Sequence, residues 1–324
     1  MPASPFRKAA FLALTFVPIG CRSGPLTFAK EELPVKPFRV EQLADGVHLF
    51  HPADPSTDRT NSLVVEQDEG LVVIDAQPSV EAARELLAAI AEVSKAPIRF
   101  LVLTHPHAEA AGGASAFPAS AVHIGSKGCR DAMADTGYDF GAEERLRSKD
   151  PETWKEPDRS LPVLALKGSV VLEDKKHPVE LDPLVPSHSR GDLLVSIPDT
   201  GIYAIGGLVS PDRNPYAGDA NGEEWLITLN QIAYLAPKVV VPIRGPVLGA
   251  TDVRIQRDSL AWVRGQLTQG YVDALPSEKI PDSVMASPSL SQFFDVTASP
   301  SFVRGVVVRI FREMEEARRR KGVK

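Results

Sequence analysis

The chain of 324 residues has only two cysteines, Cys21 and Cys129. That is too few for a disulfide-stapled scaffold, so the fold has to rest on its core. A chain of this length with 43% hydrophobic residues can build a sizeable one. Basic charge is also short: 36 Lys and Arg stand against 42 Asp and Glu, a formal net charge of -6. No basic stripe offsets this balance, which argues against nucleic acid as a partner. The one cationic run, Arg318 to Lys321, ends a helix-like segment, where positive charge suits the helix dipole. Beyond the N-terminus no apolar run approaches the roughly 20 residues of a membrane span. No repeat at the scale of roughly 20–50 residues recurs.

The N-terminus is patterned. Arg7 and Lys8 precede a mostly apolar run from Ala9 to Ile19, and Gly20-Cys21 follows. A run this short suits a signal-peptide core better than a membrane span. The small residue before Cys21 resembles a bacterial lipoprotein cleavage site, although Pro18 stands where that site carries a leucine-like residue. The expectation is an exported protein of the periplasm or cell envelope. Residues 1–21 act as signal and a lipid anchor at Cys21 leads to the membrane; an uncleaved anchor or a mis-assigned start is the alternative. Residues 22–37, rich in Pro and charge, read as a linker.

From Phe38 the pattern becomes regular. Val47–Phe50, Ser62–Glu66 and Leu71–Ile74 read as strands, the last two joined by a turn at Asp68-Glu69-Gly70. Ser79 can cap a helix in which Ala83, Leu86, Leu87, Ile90 and Val93 recur at helical spacing. Ile98–Leu103 and Ala121–Ile124 are further strands, with a short helix over about 126–134. Residues 135–160 are charged and aperiodic, and read as an insertion or flexible flap. Strands return at 163–166, 170–173, 179–181, 193–197, 202–205 and 239–241, with a helix over 223–235. The stretch 251–324 reads as a helical extension broken near 276–289. Mixed strands, hairpins and helices point to an α/β or α+β domain with sheets layered between helices.

The chemistry gathers at strand ends. His105-Pro106-His107 follows the strand 98–103 directly, and residues two apart in an extended loop point the same way. Two imidazoles can then converge on one ion. A zinc site with an open position typically takes three protein ligands, and the best third candidate is His188, just before strand 193–197. His48, His51, His123 and His177 have no matching partners and default to surface or packing roles. Cys129 reads as an inert small hydrophobe. Trp225 and Tyr216 suit either a pocket mouth or the core.

These segments resemble the metallo-β-lactamase superfamily. Thr104-His105-Pro106-His107-Ala108-Glu109-Ala110 through Gly113 is similar to its Thr-His-x-His-x-Asp-His signature. His188-Ser189-Arg190-Gly191-Asp192 is similar to its His-Thr-x-Gly-Asp segment. Asp75, Gly206-Gly207 and Pro242-Ile243-Arg244-Gly245 match three further strand ends, in order, across residues 38–250. The resemblance implies an αββα sandwich. It also implies a zinc on His105, His107 and His188, with Asp75 and Asp192 supporting the ligand loops. Around the family's second zinc the chain departs: Glu109 replaces an aspartate, Ala110 a histidine, Gly207 the bridging aspartate and Arg244 the last histidine. The expectation is therefore one Zn2+ per chain, with a Glu109–Arg244 pair in place of the second ion.

A three-histidine zinc can activate water, with Glu109 as general base and Arg244 stabilising negative charge on a small-molecule substrate. Ester, amide or thioester hydrolysis follows, β-lactams included. The rival expectation is an inactive fold reused to bind a ligand or partner.

Overall fold

The computed structural model describes residues 36–322. The expected signal, Cys21 and almost all of the 22–37 linker lie outside the described residues. Ser62–Gln67 and Gly70–Ile74 pair as an antiparallel hairpin whose apolar side chains are buried on both faces. A strand with two dry faces needs a packed layer on each side. That requirement sets the architecture.

The first sheet takes β1 (Phe38–Ala44), β2 (Val47–Pro52), β3 (Ser62–Gln67) and β4 (Gly70–Ile74). Helix α1 (Val80–Val93) crosses over to β5 (Ile98–Val102). Helix α2 (Ala108–Ala111), β6 (Val122–Ser126), α3 (Lys127–Ala134), α4 (Ala142–Arg147) and β7 (Leu164–Leu166) follow. Strand order is sequential, antiparallel to β4 and parallel from there. The second sheet takes β8 (Val170–Leu172), β9 (Val179–Pro183), β10 (Leu193–Ile197) and β11 (Ile202–Gly206). After α5 (Gly222–Leu235) it closes with β12 (Val239–Pro242), parallel to β11. Helices α6 (Ala250–Val272), α7 (Ile280–Met285), α8 (Leu290–Phe293) and α9 (Pro300–Arg320) complete the chain. Among the described residues no helix is long and apolar enough to cross a membrane.

Alternation sorts the side chains into three cores. Leu63, Val65, Val72 and Ile74 face inward and meet Leu193, Val195, Ile197 and Ala204 of the second sheet. Their neighbours Val64, Leu71 and Val73 face outward and meet Ala83, Leu86 and Ile90 of α1. On the far side, Trp225, Leu229 and Ile232 of α5 pack with Val253, Leu260 and Val263 of α6 and with Val303, Val306 and Val307 of α9. The result is the expected αββα sandwich with a helical extension. Ser79 caps α1 as its sequence suggests, accepting from the Ala82 amide. Val93, expected on the buried face, is exposed, because the helix ends there and lifts off the sheet.

Residues 135–160 differ from a loose flap in one respect. Tyr138 and Phe140 are buried, and the short helix α4 turns two glutamates, Glu143 and Glu144, into the protein. Cys129 is buried and free, its thiol pushed up by that burial.

Leu86 is fully buried between α1 and the first sheet. Leu86→Ala is expected to cost about 2–5 kcal/mol in urea unfolding; a loss below about 1 kcal/mol would mean this layer collapses around the cavity.

Candidate metal centre

All three histidines sit at strand ends, each held by a different local device. Asp75 follows β4 with φ of 66°, a left-handed conformation that a non-glycine residue adopts rarely. This turns its carboxylate toward Thr104, whose amide and hydroxyl donate to Asp75 Oδ1 at 2.8 and 2.9 Å. Burial pushes the Asp75 carboxyl up to about 7, with the two Thr104 donors working against it. The Thr104 hydroxyl proton is committed to Asp75, so its oxygen accepts from His105 Nδ1, 2.9 Å away. With Nδ1 engaged by Thr104, His105 Nε2 faces Glu109 Oε1 at 2.8 Å. This contact is satisfied by a proton on Nε2 or by a metal ion shared between the two groups.

His107 lies in the same loop. Its Nε2 donates to Asp219 Oδ1 at 2.9 Å, and Asp219 Oδ2 receives the Tyr138 hydroxyl at 3.0 Å. That fixes the ring and leaves Nδ1 buried without a hydrogen bond. His188 stands on a loop knotted by Asp192, which accepts from the Ser187 and Ser189 amides at 3.1 and 2.9 Å and from the Ser189 hydroxyl at 2.7 Å. His188 Nδ1 lies 3.5 Å from Asp192 Oδ1, and Trp225 packs edge-on against the ring.

The three rings converge. Their centroids lie 5.0–5.2 Å apart, all three side chains are buried, and one nitrogen of each falls within 4.8 Å of the others. Burial lowers the pKa of His105, which favours the neutral ring that a metal needs. Burial also opposes charge on His107, yet Asp219 and Glu109 outweigh it and hold that pKa well above its ordinary value. The same negative surroundings would favour a metal cation, which must displace that proton to bind. The unpartnered His107 Nδ1 and Glu109 Oε2, beside the grouped nitrogens of His105, His107 and His188, fit a zinc held by three imidazoles.

Glu109 and Arg244 do not form the expected pair. Glu109 is sealed in the first turn of α2, its Oε1 set between His105 Nε2 and His107 Nδ1, the latter at 3.4 Å. Arg244 bonds instead to Glu144 through Nη2, and its Nη1 donates to the Asp58 and Arg59 carbonyls at 3.2 and 3.3 Å. Helix α4 is the reason: it delivers a carboxylate to Arg244 from a stretch that shows no periodicity. Burial raises the Glu144 carboxyl to about 7 even beside Arg244. Arg244 is further placed by Asn61, whose side-chain amide donates to the Pro242 and Gly245 carbonyls at 2.9 Å each. Glu143, Glu144, Asp219 and Tyr138 carry no local signal in the sequence; only the tertiary fold brings them to the centre.

The model of the metallo-beta-lactamase superfamily matches residues 56–244, more than half of the chain. The chain belongs to this superfamily. A linear primary-alkylsulfatase from Pseudomonas sp. (strain ATCC 19151) is 22% identical over 273 residues, covering 71% of this chain and 51% of that protein. A double mutant of the sec-alkyl sulfatase PisA1 superposes with a TM-score of 0.64 at 15% identity, over 86% of this chain and 50% of its own. The metallo-beta-lactamase FIM-1 from Pseudomonas aeruginosa, in a mono-zinc form, gives 0.55 at 17% identity over 69% and 95%. The chain thus spans about half the length of the alkyl sulfatases it matches.

Within this superfamily fold, the end of β11 is unusually bare. Gly206 has φ of 54°, and a Cβ there would meet Thr104 Oγ1 at 2.7 Å and His105 Nδ1 at 2.9 Å. At Gly207 a Cβ would meet the His188 ring at 2.3 Å. The imidazole therefore fills the room that a side chain at 207 would need.

Gly207→Asp is thus expected to displace His188, and zinc per chain, measured by elemental analysis, falls below wild type; a rise toward two ions would sink this account. Asp219→Asn keeps the shape but weakens the hold on His107, and is expected to lower zinc affinity about 10–100-fold in chelator competition.

Proposed function

We propose that the chain is a single-zinc hydrolase of small-molecule esters, working at the cell envelope. One observation carries the reading: three buried imidazoles converge beside a cavity with room for water. The chemistry such an ion supplies is Lewis acidity, activating water near neutral pH and polarising an ester oxygen. The protein's own residues do the rest. Asp75, through Thr104, and Asp219 set which nitrogen of His105 and of His107 faces inward. Burial of the three rings excludes bulk water and strengthens every charge inside.

A cleft of about 950 Å³ has Arg147, Lys149, Trp154, Arg244 and Phe302 among its walls. Arg147 and Arg244 also line the small cavity that reaches His188. Both guanidinium groups are paired there, Arg147 with Glu143 and Arg244 with Glu144, so the junction offers hydrogen-bond donors beside balanced charge, and Trp154 and Phe302 offer apolar surface for an organic chain. The likeness to proteins named as alkyl sulfatases supports testing sulfate esters first, then carboxylic esters, thioesters, amides and β-lactams. Arg7, Lys8, the apolar run to Ile19 and Gly20-Cys21 support export with a lipid anchor.

A second reading has one observation in its favour. The cavity beside His188 measures only about 20 Å³, so the centre can serve a binding protein that admits no substrate. Elemental analysis of residues 24–324, purified without chelators, separates the two when combined with a substrate panel. The expected result is about one zinc per chain, absent in His188→Ala, with ester turnover that dipicolinate abolishes and added zinc restores. A zinc-loaded protein that cleaves no member of the panel supports the binding reading. No zinc uptake at all removes the hydrolase.

A further inference from the structure

We infer that Glu143 is the residue that takes the proton from water in the hydrolysis, an inference that rests on the reading above. The superfamily resemblance directs attention to Glu109, but the geometry leads elsewhere. Glu109 is wholly buried, its Oε1 lies against His105 Nε2, and it forms no wall of the cavity beside His188. Glu144 is committed to Arg244. Glu143, one residue earlier on α4, does form a wall of that cavity, together with His188, Tyr216 and Arg244. Its carboxylate also comes within 4.8 Å of ligating atoms of both His107 and Glu109, a trio that could itself hold a metal ion.

The cavity's about 20 Å³ exceeds the roughly 10–15 Å³ that one water requires, and a buried water needs several polar partners. Glu143, Arg244 and Tyr216 supply them. The carboxylate is held in place: Arg147 Nε donates to Glu143 Oε1 at 2.7 Å, and the Arg147 guanidinium lies 4.5 Å over the Phe302 ring. One oxygen is thus anchored while the residue faces the cavity. A general base needs this placement before anything else.

The step balances within the protein. Water gives one proton to the Glu143 carboxylate, and its oxygen bonds to the ester's carbon or sulfur. The bond from that centre to the alcohol oxygen breaks, and the departing alkoxide takes the proton back from Glu143. Acid and alcohol leave, and Glu143 returns to its starting state.

The test uses zinc-loaded full-length protein, para-nitrophenyl acetate and para-nitrophenyl sulfate, and the variants E143Q and E143A. Both variants are expected to keep about one zinc per chain. Their kcat falls by about 100-fold or more while KM stays within about twofold. Added formate, small enough to enter the vacated space, restores part of the E143A rate, which a merely structural loss would not allow. Undiminished kcat in E143Q, or a loss that formate does not relieve, overturns the inference and leaves the hydrolase reading standing. Loss of zinc in E143Q overturns it differently, by making Glu143 a ligand. Wild-type protein that holds zinc but cleaves neither ester nor any other member of the substrate panel overturns the inference and the hydrolase reading together.

Discussion

Buried negative charge governs this end of the molecule. Asp75, Glu109, Glu143, Glu144 and Asp192 are all buried within one sandwich. A buried carboxylate is tolerated only when paired or hydrogen-bonded. Four have evident partners: Asp75 holds Thr104, Asp192 gathers the serine amides of its loop, Glu143 meets Arg147, and Glu144 meets Arg244. Glu109 has only imidazoles around Oε1 and nothing on Oε2. A cation among the histidines would complete the local charge, and metal binding would then contribute to the stability of the fold.

The surrounding layers keep these groups in register. The strands between the sheets are apolar on both faces, so their ends are stiff points from which short loops project. Helices α5, α6 and α9 cover the outer face of the second sheet and carry Trp225 against His188. The helical extension thus belongs to the support of the centre through packing, although no residue of α6 or α9 ligates it. Its Phe302, at the start of α9, also braces Arg147 at the cleft.

Much of this could be read along the chain, because periodicity and strand ends are local properties. The fully apolar run Leu71–Ile74 suits a strand buried on both faces, and the helical spacing of Ala83, Leu86 and Ile90 marks the covering helix. The pair His105 and His107 is local too, and His188 stands out for its place before a strand. What escaped notice depends on distant chain segments. Asp219 lies 112 residues from His107, and Glu144 lies 100 residues from Arg244. Helix α4 is a single short turn in a charged stretch, too brief for a period to emerge, yet it supplies two of the five buried carboxylates. Charge composition there suggested solvent; the arginines of the strand end and of α4 itself make burial possible.

The bareness of Gly207 also limits what can be changed around it. Because the His188 ring occupies the space of the missing side chain, position 207 and position 188 cannot vary independently. Any larger residue at 207 must be preceded by a shift of the imidazole, and that shift loosens the centre before a new group can serve it. A larger residue at 207 can therefore be carried only by a variant that also makes room for the ring.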